Sequence, residues 1–98
     1  IITNPTHIAV ALDYQPKVEQ APRILTIGVG LVADQIMKIA TEAHVPLMRN
    51  PTLAQDLFKK GRIGDYIPEE TFQAVAEIKH WLQALEERGE EVITELFQ

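Results

Sequence analysis

The sequence predicts an α/β fold, in which a small central β-sheet of about four strands is surrounded by about four helices. Two observations lead to this prediction. Short β-rich runs alternate along the chain with segments whose apolar residues recur at helical spacing, which is typical of α/β domains. The 98 residues, 46% of them hydrophobic, suffice to bury one core and fit a globular chain.

Four strands are predicted, three of them near the N-terminus. Residues 1–3 precede a turn and residues 8–14 follow it, so the two runs form a strand–turn–strand unit. A polar, proline-bounded loop over residues 15–22 leads to a β-rich run at residues 23–27, which is typical of a buried strand. Residues 45–49 are a further short strand candidate.

Three of the helices are predicted from apolar residues at three- and four-residue spacing, and the acidic tail described below would form the fourth where it is helical. The first spans about residues 30–44, and the third about residues 69–85. In the second, Asn50 is the N-cap, Pro51 occupies the first helical position and Gly61 ends the helix. The three apolar faces consist of Val32, Ile36, Ile39, Ala40 and Ala43, of Leu53, Ala54, Leu57 and Phe58, and of Phe72, Val75, Ile78, Leu82 and Leu85.

Charge is distributed unevenly along the chain. Residues 1–65 carry a net charge of +1 and residues 66–98 one of −6. We divide the chain into a domain over residues 1–85 and an acidic tail over residues 86–98 that is helical or flexible. An acidic chain without a large Lys/Arg cluster is a poor nucleic-acid binder, and the absence of cysteine leaves no disulfide or thiolate site.

The tetrapeptide Asn4-Pro5-Thr6-His7 lies between the first two predicted strands and carries a specific chemistry. The side-chain amide of Asn4 can attack the backbone carbonyl carbon of the same residue, close a five-membered succinimide and expel Pro5. Because proline has no backbone N–H, the competing deamidation route is blocked. Asn-Pro also favours a tight turn. The motif therefore predicts a turn that can cut its own main chain after Asn4.

Several groups can assist this reaction. His7 can donate a hydrogen bond to the developing oxyanion or to the departing Pro5 nitrogen, or it can relay the amide proton. Backbone N–H groups across the turn can also stabilise the oxyanion, and Thr6 is assigned to forming the turn. The reaction occurs once per molecule and needs no cofactor. The three histidines of the chain show no metal-ligand spacing, so no metal site is expected.

Eight short motifs occur in order along the chain: Asn4-Pro5-Thr6-His7, Ala11-Leu12-Asp13-Tyr14, Ala21-Pro22, Val45-Pro46, Asn50, Leu53-Ala54, Ile67-Pro68 and Ala74-Val75-Ala76-Glu77-Ile78. This series resembles the cytoplasmic C-terminal domain of the FlhB/YscU/SpaS family, the autocleaving export-switch proteins of type III secretion systems. The resemblance spans residues 1 to about 85, and the first motif is its specific part.

The resemblance implies self-cleavage between Asn4 and Pro5, after which the two pieces remain associated and export switches from early to later substrates. It implies a place at the cytoplasmic face of the bacterial inner membrane, with membrane helices upstream of Ile1. The implied partners are other export-apparatus proteins, secretion substrates or a length-control regulator, and the chain's own N-terminal fragment. The run at residues 46–50 favours a virulence injectisome over a flagellum.

Three alternatives stand beside this interpretation. Asn50-Pro51-Thr52 repeats the start of the motif, but Leu53 stands in place of the histidine, and we expect Asn50 to cap a helix without cleavage. Residues 28–33 match the dinucleotide fingerprint G-x-G-x-x-A, yet the acid expected about 20 residues onward is missing. Finally, Asn4-Pro5 can be an uncut turn in a non-enzymatic docking module.

Overall fold

The computed structural model describes residues 1–4, 7–14, 21–87 and 95–97 of the chain. Within these residues there are five strands: β1 (Ile2–Asn4), β2 (Ile8–Asp13), β3 (Arg23–Val29), β4 (Leu47–Arg49) and β5 (Glu95–Phe97). The helices are α1 (Leu31–Glu42), α2 (Pro51–Lys60) and α3 (Phe72–Glu87), and a single 3-10 turn, Glu69–Thr71, precedes α3. The predicted α/β fold class is confirmed.

The short strand β1 lies at the centre of a mixed sheet with the order β3-β2-β1-β4-β5. It is antiparallel to β2, with Asn4 opposite Ile8, and parallel to β4. On the β4 side, the Asn50 N–H donates to the Thr3 carbonyl at 3.0 Å and the Met48 N–H to the Ile1 carbonyl at 2.7 Å. Although β1 has only three residues, it is therefore hydrogen-bonded to a neighbouring strand along each of its two edges.

One face of the sheet packs against α2 and α3. Side chains alternate between the two faces of a strand, and Ile2, Ile8 and Val10 all point to this face. They form the hydrophobic core together with Leu57 of α2 and Val75 of α3. The hydrophobic core of the domain therefore lies in this layer.

The opposite face packs against α1 through small residues. Ala9 and Gly28, which are paired across β2 and β3, present little or no side chain to the helix. A Cβ atom on Gly28 would lie 2.6 Å from Ile36 Cδ1 and 3.0 Å from the Ala33 backbone nitrogen. The absence of a side chain at Gly28 therefore lets α1 approach the sheet closely.

The core layer predicts a large effect for Leu57, which is fully buried. Leu57→Ala removes buried methyl groups and leaves a cavity, so we expect it to lower the free energy of unfolding by about 2–5 kcal/mol. Urea denaturation measures this loss. The neighbouring Phe58→Ala is the control, because Phe58 is 43% exposed, and it should cost much less. Equal losses for the two variants would contradict this assignment of the core.

The structure differs from the sequence-based expectation in two details. The described residues contain three α-helices, a single 3-10 turn and five strands, where about four helices and about four strands were expected. The acidic tail was expected to be helical or flexible. Instead, Glu95–Phe97 pair in parallel with β4, since the edge of β4 offers ladder hydrogen bonds that local helix propensity does not reveal. The rest of the tail beyond α3 lies outside the described residues.

Candidate active site

The chain reverses direction between β1 and β2 in a three-residue loop. Asn4 ends β1 and is paired with Ile8 at the start of β2. The His7 N–H donates to the Asn4 carbonyl oxygen at 3.0 Å, and His7 has a positive φ of 66°. A three-residue hairpin loop commonly ends in such a left-handed residue. The predicted strand–turn–strand unit is confirmed, whereas Pro5 and Thr6 lie outside the described residues.

Asn4 is removed from water. Its exposed fraction is 5%, and the Nδ2 atom of its carboxamide is buried. Because Asn4 is two residues after Ile2 on the same strand, its side chain belongs to the face of the sheet that packs against α2. Burial restricts the conformations of the carboxamide, which favours a reaction between the side chain and the backbone of one residue.

The carbonyl of Asn4 already has a hydrogen-bond donor. In a cyclisation, negative charge develops on this oxygen as the amide nitrogen attacks the carbonyl carbon. A main-chain N–H aimed at that oxygen stabilises the charge without reorganisation. The backbone N–H of His7 therefore contacts the oxygen on which an oxyanion would form. Backbone N–H groups across the turn were among the donors expected from the sequence.

The His7 imidazole lies beside α1. Its Nε2 atom is 3.8 Å from Oδ1 of Asp34, and the two side chains are 59% and 49% exposed. The contact is an ion pair when the imidazole is protonated. Since α1 covers the face of the sheet opposite to α2, the imidazole and the Asn4 carboxamide are on different sides of the turn. Sequence reasoning missed Asp34, and an exposed acid in the first turn of a helix gave no signal of this contact.

The structure distinguishes Asn50 from Asn4. Asn50 is the N-cap of α2, its Oδ1 atom accepts a hydrogen bond from the Leu53 N–H at 3.2 Å, and Pro51 begins the helix. The Asn50 carbonyl accepts from the Ala54 N–H at 2.9 Å, a helical hydrogen bond. The predicted cap is confirmed, and the Asn50 side chain is committed to it.

The glycines of the dinucleotide-like motif have structural explanations. Gly30 is the N-cap of α1 and has a positive φ of 62°, which glycine adopts most readily. Gly28 allows α1 to pack against β3, as described above.

Among the described residues, no group of three or more His, Asp or Glu side chains could hold a metal ion. Within these residues no helix is both long and apolar enough to cross a membrane.

Known proteins similar to this chain form a consistent set. Residues 1–82 match the model of the FlhB HrpN YscU SpaS family. The flagellar biosynthetic protein FlhB of Yersinia enterocolitica is 42% identical over 85 residues, which cover 87% of this chain and 22% of that protein. The chain thus spans about a fifth of the length of the curated relatives it matches.

Solved structures agree with this match. The cytoplasmic domain of FlhB from Shewanella putrefaciens has a TM-score of 0.78 and 32% identity, covering 84% of this chain and 68% of that one. The EscU C-terminal domain with an Asn-to-Asp substitution also has a TM-score of 0.78 at 32% identity, covering 82% and 73%. Further EscU domains were solved with an Asn-to-Ala or a Pro-to-Ala substitution. Sequence and structure together show that the chain belongs to the FlhB/HrpN/YscU/SpaS family.

Proposed function

We propose that this chain is a self-cleaving cytoplasmic domain of a type III export apparatus, which cuts itself between Asn4 and Pro5 and thereby helps to switch export specificity. One observation carries the proposal. Asn4 is buried at the end of β1, its carbonyl oxygen accepts a hydrogen bond from the His7 N–H, and Pro5 follows it. Family membership supports the role in export.

The proposed reaction is an intramolecular displacement. The Nδ2 nitrogen of Asn4 forms a bond to the Asn4 carbonyl carbon and loses a proton, and the bond from that carbon to the Pro5 nitrogen breaks. The Pro5 nitrogen takes up a proton and leaves as a secondary amine. The products are a fragment that ends in a succinimide and a second fragment that begins at Pro5. Asn4 supplies the nucleophile, Pro5 the leaving nitrogen and His7 the backbone N–H at the carbonyl oxygen, while Thr6 forms the turn; water accepts the proton from Nδ2 and donates one to the Pro5 nitrogen.

The sheet topology supports retention of the N-terminal fragment. β1 lies between β2 and β4, and Ile2 and Thr3 are buried. Scission after Asn4 leaves the pairing of β1 in place, while the new N-terminus at Pro5 is no longer tied to it. Cleavage therefore changes the surface at the turn without dissociating the domain, and a partner can read that change.

The solved relatives give further support. The EscU substitutions fall on an Asn and on the Pro directly after it, which is the same pair of residue types as Asn4-Pro5. The curated relatives that the chain matches include flagellar biosynthetic proteins. We therefore propose a flagellar-type apparatus rather than the injectisome that residues 46–50 favoured. Other export-apparatus proteins, and export substrates or a length-control regulator, are the proposed partners.

A non-enzymatic docking module is the second candidate. An apolar groove of about 330 Å³ lies between α3 and the sheet, lined by residues that include Leu12, Pro22, Val75, Ile78 and Leu82. Such a groove suits an apolar segment of a partner. Normal export by a full-length protein carrying an uncleavable Asn4→Ala domain would favour this candidate over the switch.

Mass spectrometry of the denatured chain tests the proposal directly. We expect two fragments that meet after Asn4, the shorter ending in a succinimide or its hydrolysis product. N-terminal sequencing should find Pro5 and should not find Pro51, because Asn50 is committed to its cap. A chain that stays covalently whole on prolonged incubation near neutral pH would reject self-cleavage.

A further inference from the structure

His7 has an unfavourable backbone conformation. A positive φ is uncommon for a residue with a Cβ atom, and it persists only when surrounding contacts restrain it. In this conformation the His7 N–H donates to the Asn4 carbonyl oxygen at 3.0 Å and the chain continues directly into β2. Because β1 and β2 are held by their pairing, a change of His7 to a negative φ would have to turn the peptide plane that carries this N–H, which would disturb the hydrogen bond. Whatever restrains His7 therefore also positions the oxyanion donor.

His7 has two contacts with the start of α1. The Gly30 N–H donates to the His7 carbonyl oxygen at 2.9 Å, and the Asp34 carboxylate lies 3.8 Å from the His7 imidazole. The Asp34 N–H donates to the Gly30 carbonyl at 3.1 Å, so both contacts belong to the same helical turn. This turn contacts the main chain and the side chain of His7 together.

We infer that Asp34 and Gly30 are positioning residues for self-cleavage, acting through His7. This inference rests on the proposed function and adds a role for α1. Gly30 restrains the carbonyl of His7 and Asp34 restrains its side chain, so that the His7 N–H stays on the Asn4 carbonyl oxygen. Neither residue contacts the reacting atoms. The start of α1 thereby sets the rate at which the turn is cut.

The rate of scission can be measured by pulse–chase during cell-free translation, with a folded fusion partner placed ahead of Ile1 so that both products are visible. Because the Asp34–His7 pair is largely exposed, Asp34→Asn should slow scission by about twofold to fivefold. Asp34→Glu should restore the rate to near that of the unmodified chain. Glu42→Gln, at the other end of α1, is the charge control and should leave the rate unchanged.

A second pair of variants tests Gly30. At Gly30 and at Gly64 φ is positive and an added Cβ would meet no atom within 4 Å, so Gly30→Ala and Gly64→Ala strain the backbone without a clash. Both should lower thermal stability. Only Gly30→Ala should slow scission, by about tenfold or more. It also displaces the Gly30 N–H, which donates to the carbonyl oxygen of His7, the residue whose own N–H is the oxyanion donor.

Repeating the Asp34 test in a chain that carries His7→Gly shows whether Asp34 acts through the conformation of His7 or through the stability of α1. Glycine adopts a positive φ without cost, so the restraint from Asp34 is no longer needed. Asp34→Asn should then leave the rate of the His7→Gly chain unchanged. In the uncleavable Asn4→Ala chain, Asp34→Asn should speed hydrogen exchange of the His7 amide, a readout that does not depend on cleavage.

Three outcomes would overturn the inference. Scission of Asp34→Asn at the unmodified rate would show that the contact has no role. An equal slowing by Asp34→Asn in the His7→Gly background would assign Asp34 to helix stability alone. Equal slowing by Gly30→Ala and Gly64→Ala would indicate a general loss of stability. Absence of scission in the unmodified chain would instead reject the proposed function, and this inference with it.

Discussion

Asn4→Ala is expected to abolish scission. Alanine has no side-chain nucleophile, so the intramolecular attack, which can reach an effective molarity on the order of 10⁵ M or more, is lost entirely. The fold should change little, because β1 keeps its backbone pairing and Ala is tolerated at a buried strand end. Denaturing electrophoresis and intact mass measure the outcome. The variant chain should stay in one piece under conditions in which the unmodified chain is cut.

Asn50→Ala is the matched control, because Asn50 is also an Asn followed by Pro and Thr. It should be cut after Asn4 at the unmodified rate. Loss of the N-cap should lower the free energy of unfolding by about 1 kcal/mol, measured in the Asn4→Ala background so that scission does not interfere. Continued scission after residue 4 in the Asn4→Ala chain would reject Asn cyclisation as the mechanism.

Ile2→Ala is expected to release the N-terminal fragment after scission. Ile2 is 4% exposed and belongs to the core beneath the sheet. Truncating a buried Ile costs about 2–5 kcal/mol. Once the Asn4–Pro5 bond is cut, most of this cost falls on the association of the two pieces. Dissociation should therefore be faster by a factor on the order of 30 or more, since each 1.4 kcal/mol is tenfold.

The release can be followed with a fluorescent fusion ahead of Ile1, by gel filtration of the cut, undenatured protein after dilution. Leu25→Ala is the control: it removes the same kind of apolar group, but Leu25 lies on the edge strand β3 and is 63% exposed. It should leave the two pieces together. Equal retention in the Ile2→Ala and Leu25→Ala proteins would mean that the central position of β1 does not keep the fragment bound.

The sequence predicted those parts of the fold that depend on near neighbours. The Asn50 cap joins residues three apart, and the hairpin at Asn4 joins residues three to four apart. In each case the interacting groups lie within one turn of chain, so residue type and spacing are sufficient.

Other features required the tertiary structure. The sequence did not indicate that β1 is central, that it runs parallel to β4, or that Glu95–Phe97 extend the sheet. Nor did it indicate that Asp34 lies beside His7, which precedes it by 27 residues in the chain. The chain itself determined the Asn4-Pro5 dipeptide, the turn around it and the family. Only the folded sheet and α1 decided what surrounds that turn, because contacts between distant residues depend on how whole elements pack and leave no local pattern in the sequence.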